Sequence, residues 1–484
     1  MLNFLWICTD SQRFDTLGCN GNSFVRTPNI DRLARSGANL TRVFSQSPLC
    51  TPSRGCFMTG RYPATMGLRQ NGQSIQPDEV LVSKLLADAG YTCGLVGKLH
   101  LSACDYRIKK YGRTEWWRYP QETYFEGVEE RIDDGYTEFE WDHAPSTIFP
   151  ESAYTKWLTS HGATFATTPH PDCDVIAYGM QEELHQTTFC ANHAIDFIDR
   201  HQGQPWFYSV NIFDPHFTFD PPKQYLDRYE PLLNDIPLPV FTEDELEGKP
   251  KYQKDFVQAK GHTTIGRSAH EIRLIKAAYW AMIDLIDVQV GRIMEALKAS
   301  GQDKNTVVIF TSDHGEMLGD HQMLKKGGLL YDSATHVPLV MSCPGVIPLG
   351  QTLSPLYELG DLAPTILEAA GLAKHPGMQL ESFWKQITGQ EQPCGKETVY
   401  CEYYNANPDK VPQYLTMLRA DQIKIIVHHG ETLGELYDLY LDPHELNNLW
   451  DHPAYQSIKH DWIKATCDTL AFHADPLPAR IGIY

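Results

Sequence analysis

The chain has 484 residues, 42% hydrophobic and 21% charged, enough for one large α/β domain with an appendage or for two to four smaller ones. Its 41 Lys and Arg against 61 Asp and Glu leave a net charge of −20, which argues against nucleic acid or an anionic membrane as the principal partner. The 20 Phe, 24 Tyr and 10 Trp exclude a disordered chain, and 12 Cys without one C-x-x-C pair exclude a disulfide framework or zinc ribbon.

The opening MLNFLWICTD has no basic n-region and no small-residue cleavage site, and its apolar run stops at Asp10. As it stands the chain therefore reads as soluble and cytoplasmic. Asn3–Thr9 is expected to be a buried strand. Thr27-Pro28 is expected to act as N-cap and N1 of a helix with Ile30, Leu33 and Ala34 on one face and Gly37 as its stop. An extended segment follows at 38–45, then a helix at about 78–89 and a strand at 91–96. Residues 104–180 are rich in Trp, Tyr, Pro and Asp and read as an insertion built of loops, of the kind that shapes a pocket. A helix at 180–200 precedes a strand at 206–212, and 217–266 is again irregular. The longest helix is expected at 268–299, where Ile272, Ile275, Tyr279, Ile283, Ile286, Val290 and Ile293 keep close to helical spacing. Strands follow at 306–311 and 337–341. Beyond about 375 the pattern becomes short strands at 397–404, 414–419, 422–428 and 435–440 and a helix at 453–472. This predicts an α/β domain over 1–375, with 104–180 and 217–266 as substrate-shaping insertions, and a small α+β subdomain over 376–484.

Four apolar strands each end in a residue able to bind metal or move a proton. Asp10 follows FLWICT, Lys98 and His100 follow YTCGLV, His216 follows FYSVNIFDP, and Asp313-His314 follow VVIFTS. In a parallel sheet such ends line one edge, where ligands of open α/β sheets bind. Cys50 stands just before Pro52 at the predicted start of a short helix, with Arg54 one turn on. That setting suits a depressed thiol pKa, although a buried structural cysteine fits the same spacing.

The motifs are more specific than the spacing. Cys50-Thr51-Pro52-Ser53-Arg54 with Thr59-Gly60-Arg61 resembles the C-x-P-S-R…T-G-R motif of the type I, formylglycine-dependent sulfatases. Gly97-Lys98-x-His100 after Gly90-Tyr91-Thr92 resembles that family's second motif. Asp10 with Gln12, Arg13 and Asp15, and Thr311 through Gly327, resemble its metal and lysine segments. Asp361 to Thr365 and Glu435 to Leu439 continue the likeness in order along the chain.

The resemblance implies an alkaline-phosphatase-like fold, a large mixed and mostly parallel sheet flanked by helices with a smaller C-terminal antiparallel sheet. It implies hydrolysis of a sulfate ester to alcohol and sulfate, with Cys50 converted to formylglycine by a formylglycine-generating enzyme and a covalent sulfo-enzyme intermediate formed on its gem-diol. By position, Asp10, Cys50, Asp313 and His314 would hold one divalent cation, Ca2+ by family default with Mn2+ or Mg2+ as alternatives. Arg54 would orient the gem-diol, and His100 would help remove its proton. Lys98, His216 and Lys326 would bind the sulfate oxygens, and either His216 or Lys326 would protonate the leaving alcohol. Asn71 would touch the ester.

Two departures stand out. Ser11 replaces a second aspartate, with Gln12 as a substitute ligand, and His314 stands where many members carry Asn. The Asp-His pair resembles choline-sulfatase-like members and phosphonate monoester hydrolases, so phosphonate monoester or phosphodiester hydrolysis on the same scaffold is the alternative. A non-catalytic binder of sulfated ligands is a lesser one. The expected substrate is a small sulfated sugar, aryl or alkyl ester, and the end ADPLPARIGIY suits packing on another copy of the chain. An anionic substrate on an acidic protein requires a local cationic cluster, which a Debye length of about 8 Å allows to dominate within a cleft.

Overall fold

A computed structural model of the chain describes residues 1–103, 131–146, 149, 151–406 and 413–478. In chain order its strands begin with β1 (Asn3–Thr9), β2 (Ala38–Phe44), β3 (Thr92–Gly97), β4 (Glu138–Trp141), β5 (Thr168–His170), β6 (Cys173–Tyr178), β7 (Trp206–Asn211) and β8 (Thr306–Ser312). They continue with β9 (His336–Ser342), β10 (Gln351–Leu353), β11 (Tyr357–Glu358), β12 (Val399–Tyr404), β13 (Tyr414–Arg419), β14 (Ile423–His428) and β15 (Glu435–Asp438).

The main sheet runs β10-β2-β9-β8-β1-β7-β3-β4, with β11 also paired to β2. Its centre is β1, every residue of which is buried, as an apolar strand covered on both faces by helices should be. β8, β1, β7, β3 and β4 are mutually parallel. β9 is antiparallel to both β8 and β2, so β2 again points the same way as β8. β10 and β11 run parallel to β2, so the C-terminal ends of eight strands share one edge, and each carries its next residues onto that edge.

A long helix, Ala269–Ala299, covers one face. Ser268 caps it with Glu271 in a reciprocal capping box, and all seven residues that set its expected period are buried. Asp284 and Asp287 on its buried face are turned to the start of helix α1 (Pro28–Arg35). Asp287 accepts from the Asn29 and Ile30 N–H groups at 3.0 and 2.8 Å, and Asp284 accepts from Arg26 N–H at 2.7 Å. The side chain of the expected cap, Thr27, accepts from no N–H of its own helix; its Oγ1 accepts from Gly18 N–H at 2.8 Å and donates to the Asp31 side chain at 3.1 Å. A neighbouring helix thus satisfies the donors a local cap would have served.

Residues 104–180 are more regular than expected. Residues 104–130 lie outside the described residues, but β4 extends the main sheet, a helix spans Ala153–Ser160, and β5 and β6 pair as a hairpin. The span 217–266 is irregular as expected, with only short helices such as Lys251–Phe256. The C-terminal strands form a four-stranded antiparallel sheet, β12-β13-β14-β15, against which the helix Gln456–Phe472 packs. Among the described residues, no helix is long and apolar enough to cross a membrane, and the 11 described cysteines are all free.

Candidate active site

The site is built at the shared strand edge. β1 delivers Asp10, which is fully buried, and the next residue, Ser11, turns through a positive φ of 66°. That turn lets Ser11 N–H donate to Asp313 Oδ1 at 3.0 Å and its hydroxyl donate to Asp10 Oδ1 at 2.8 Å. β8 delivers Asp313 and His314, in register with β1 through the Thr9–Ser312 pair. Helix α2 (Cys50–Thr59), reached from the end of β2, delivers Cys50 as its first residue and Arg54 one turn later.

One potential ligand atom each from Asp10, Cys50, Asp313 and His314 lies within 4.8 Å of all the others, and all four residues are buried. Cys50 Sγ is 3.3 Å from His314 Nε2 and 3.8 Å from Asp10 Oδ1. His314 Nδ1 lies 2.9 Å from the Gly315 carbonyl, the contact that fixes a metal-binding imidazole in the tautomer with Nε2 free to ligate. Two carboxylates, an oriented imidazole nitrogen and residue 50 are a chemically suitable set for a divalent cation. Gln12 does not join them. Its amide oxygen accepts from Thr9 Oγ1 at 2.9 Å and its amide nitrogen donates to Thr16 at 3.3 Å, so the expected substitute ligand faces away.

Cations surround this cluster. Lys98 Nζ is 2.7 Å from Asp10 Oδ2. The strand feeding it ends at Gly97, whose φ is 95° and where a Cβ would sit 1.9 Å from the Asn211 carbonyl, so only glycine fits. Arg54 is bound to Asp313 at 2.9 Å, to Asp10 at 3.4 Å and to the Lys98 carbonyl at 2.8 Å. Lys326 Nζ bonds the Ser11 hydroxyl at 2.9 Å and lies 3.9 Å from Asp10 Oδ1, whereas Lys325 turns its ammonium over the Phe217 ring. Burial alone would raise the Asp10 carboxyl, but Lys98, His216, Lys326 and Arg54 hold it well below its ordinary range. The Cys50 thiol is likewise lowered against burial and the Asp10 charge by Lys98, Lys326 and His314, while the other buried cysteines that shift move upward.

His216 follows β7 and is bonded through Nδ1 to the Phe217 carbonyl; burial and Lys326 push it well below the ordinary imidazole value. His100 is buried with an edge-on contact to His143 at 4.5 Å, and burial, Lys98 and His143 lower it similarly. Asn71 lies at the start of α2, where its side-chain oxygen accepts from Thr51 N–H at 3.1 Å.

Three contributors have no role assigned from the sequence, although Ser53 and Ser312 stand inside the motifs quoted above. Ser53 donates to the Asp313 carbonyl at 2.6 Å, Ser312 accepts from Gln12 N–H at 2.8 Å, and Tyr279 of the long helix donates to the Ser11 carbonyl at 2.6 Å. A fourth, His143, follows strand β4 as the others follow theirs. Recognising EFEW as a strand of the main sheet would have found it.

The comparisons with known proteins agree with this geometry. The family profile described as Sulfatase matches residues 2–372, and that of the N-sulphoglucosamine sulphohydrolase C-terminal region matches 319–469. An arylsulfatase of Clostridium perfringens is 28% identical over 94% of this chain and 91% of its own. The multifunctional alkaline phosphatase superfamily protein PehA of Trinickia caryophylli is 28% identical over 98% of this chain and 96% of its own. The crystal structure of a phosphonate monoester hydrolase of Agrobacterium radiobacter superposes with a TM-score of 0.84 at 24% identity, covering 99% of this chain and 97% of that one. With the family profile spanning most of the chain, from β1 through the lysine segment, the chain belongs to the sulfatase family and is a sulfuric ester hydrolase.

Proposed function

We propose that the chain hydrolyses a small sulfate ester with residue 50, matured from cysteine to formylglycine by a formylglycine-generating enzyme, as nucleophile. The observation that carries this reading is the placement of Cys50 Sγ, 3.3 Å from His314 Nε2 and 3.8 Å from Asp10 Oδ1, at the centre of the candidate metal cluster. Hydrated formylglycine offers one oxygen to attack sulfur and a second hydroxyl to expel the sulfate afterwards. Asp10, Asp313, His314 and residue 50 would hold a divalent cation, for which Ca2+, Mn2+ and Mg2+ are the candidates. Such an ion, when bound, neutralises and polarises the sulfuryl oxygens as a Lewis acid.

The remaining roles fall to the chain's own groups. Lys98, His216 and Lys326 would contact the transferring sulfuryl group, where charge gathers in the transition state. Arg54, bound to both carboxylates, holds their oxygens in place and offsets their charge. Lys326 would protonate the leaving alcohol, because burial and Lys326 keep His216 neutral, and with its Nδ1 proton held by the Phe217 carbonyl its Nε2 has none to give. His100, kept neutral, would accept the proton of the expelling hydroxyl, and Asn71 would line the entrance beside Thr51. Residues 1–375 would form the catalytic unit and 376–484 a subdomain closing its side, with self-association through the chain end.

The test is the mass of the peptide carrying residue 50 from active native protein. An aldehyde, trapped by a hydrazine, is expected; unmodified cysteine in fully active protein refutes the nucleophile. The likeness to PehA and to a phosphonate monoester hydrolase favours one second reading, hydrolysis of phosphonate monoesters or phosphodiesters. Relative kcat/KM on an aryl sulfate and an aryl phosphonate separates the two, and preference for the phosphonate by orders of magnitude would select the second.

A further inference from the structure

Lys325 and Lys326 leave the chain side by side and go to different places. Lys326 reaches the Ser11 hydroxyl at 2.9 Å, whereas Lys325 sets its ammonium 4.3 Å from the centre of the Phe217 ring. The backbone of Lys325 parts them. Its φ is 70°, in the left-handed region that a long side chain seldom adopts. It is held there from two sides: its N–H donates to Glu316 Oε1, and its carbonyl accepts from Met317 N–H at 3.0 Å. A costly conformation tied down twice imposes a direction on the side chain.

That direction repeats the active-site pairing one residue along. His216 and Lys326 would meet the sulfuryl group, and the residue after His216 packs with the residue before Lys326 as the Phe217–Lys325 pair. Phe217 and Lys325 are each partly exposed and Thr218 is exposed, so the layer formed by this second pair is open to solvent. On its other side stands Gly261, where a Cβ would lie 3.9 Å from the Lys325 ammonium.

The ammonium has no counter-ion. Among the described residues it makes no ion pair and no hydrogen bond. Burial and Lys326 outweigh the attraction of Glu316 and hold it below its ordinary lysine value. The Phe217 ring attracts a cation through its quadrupole but does not neutralise it. The comparably placed Lys396 is paired with both Glu358 and Asp361. In a chain with 61 acidic residues against 41 basic ones, an uncompensated ammonium beside the site is a place for an anion that comes from outside.

We propose that Lys325 binds a second anionic group on the alcohol part of the ester, a carboxylate or a sulfonate, so that esters with two negative charges are preferred to those carrying the sulfate alone. The inference rests on the sulfatase reading above, and the experiment separates the two. kcat/KM is measured at constant ionic strength for wild type, Lys325→Met and Lys325→Arg on 2-, 3- and 4-carboxyphenyl sulfate, each against its carbamoylphenyl partner. A second arm sets 3- and 4-sulfophenyl sulfate against their sulfamoyl partners. Members of a pair share a shape and differ in charge, and the ring isomers vary the distance from the second anion to sulfur. Methionine keeps an unbranched stem against Phe217 and removes the charge.

The wild type is expected to favour the anionic member of at least one pair by about tenfold, the effect of one charge-assisted contact. Lys325→Met should abolish that preference and Lys325→Arg keep most of it. Leaving-group differences within a pair are common to all three proteins, so the change in ratio carries the result. The same ratio in wild type and Lys325→Met for every pair overturns the inference; equal loss in the methionine and arginine variants, which would make shape the cause, does so too. Failure of the wild type on every ester, the neutral ones included, overturns instead the reading on which it rests. Melting temperatures check folding, and Lys325→Gln replaces the methionine variant if that one does not fold.

Discussion

Lys98 and Lys326 converge on Asp10 but are held differently. Lys98 lies 2.7 Å from the carboxylate with its side chain 3% exposed, a buried ion pair whose proton is locked in place. Lys326 bonds a hydroxyl and its side chain is 9% exposed, so its proton can reach a leaving oxygen. Replacing Lys326 with alanine is expected to lower kcat/KM on an alkyl sulfate by on the order of 10²–10³, and on 4-nitrophenyl sulfate by clearly less, because nitrophenolate departs without a proton. Equal losses on the two substrates would assign Lys326 to binding alone. Lys326 was legible in the sequence because Gly327 follows it in the family's spacing. Tyr279 was not, since it acts through the backbone carbonyl of a residue remote in the chain; Ser53 stands in the motif at 50–54, but its partner, the Asp313 carbonyl, is not encoded there. Gln12 misled for a related reason: next to Asp10 it has the right chemistry for a ligand, but the left-handed turn at Ser11 and the hydroxyls of Thr9 and Thr16 decide where its amide points.

At the scale of elements, the apolar runs identified strands well wherever the strand is buried on both faces. β1 and β8 are such runs, and their ends carry the carboxylates. β4 was missed because it is an edge strand that alternates Glu and apolar residues within a stretch rich in aromatic and polar residues. The helix signal at Thr27 was right about the helix and wrong about the cap, since a tertiary carboxylate displaced the local one. This yields a prediction: Asp287→Ala removes the acceptor shared by Asn29 and Ile30 N–H and should lower unfolding stability by about 1–3 kcal/mol in urea titration. The kcat of the variant should be unchanged, because α1 contributes no group to the site. A lowered kcat at full folding would show that the α1 entry also positions β2 and Cys50.

For the whole molecule, the order of strands along the sheet and the docking of the C-terminal sheet were beyond the sequence, because pairing is decided by contacts among segments hundreds of residues apart. That long-range construction makes acid stability a property of the entire chain. Arg13, 2.7 Å away, outweighs burial and lowers the Asp320 carboxyl to about 2; the His428 hydrogen bond similarly lowers Glu435 in the small sheet to about 2. A carboxylate with a depressed folded pKa stabilises the protein above its unfolded value and loses that contribution as pH falls through the folded one. For Asp320 the contribution is about 2 kcal/mol near pH 7, lost between about pH 4 and pH 2. The stability gap between wild type and Asp320→Asn in urea should accordingly be widest near pH 6 and narrow toward pH 2; a gap that stays constant with pH would show that Asp320 acts by packing rather than charge.

The near-complete burial of Cys50 sets an order of events. At 2% exposure its sulfur is closed to another protein in the folded chain, and the helix that carries it is fastened to Asp313 by Ser53, 260 residues further on. That fastening waits until the distant segment has been synthesised, a delay of roughly 10–50 s at ordinary elongation rates. If residue 50 is converted by a second enzyme, conversion belongs to that interval. On that condition the architecture that shelters residue 50 from solvent would also impose a deadline on its conversion, and a chain that closed before it was met would remain folded, stable and inert.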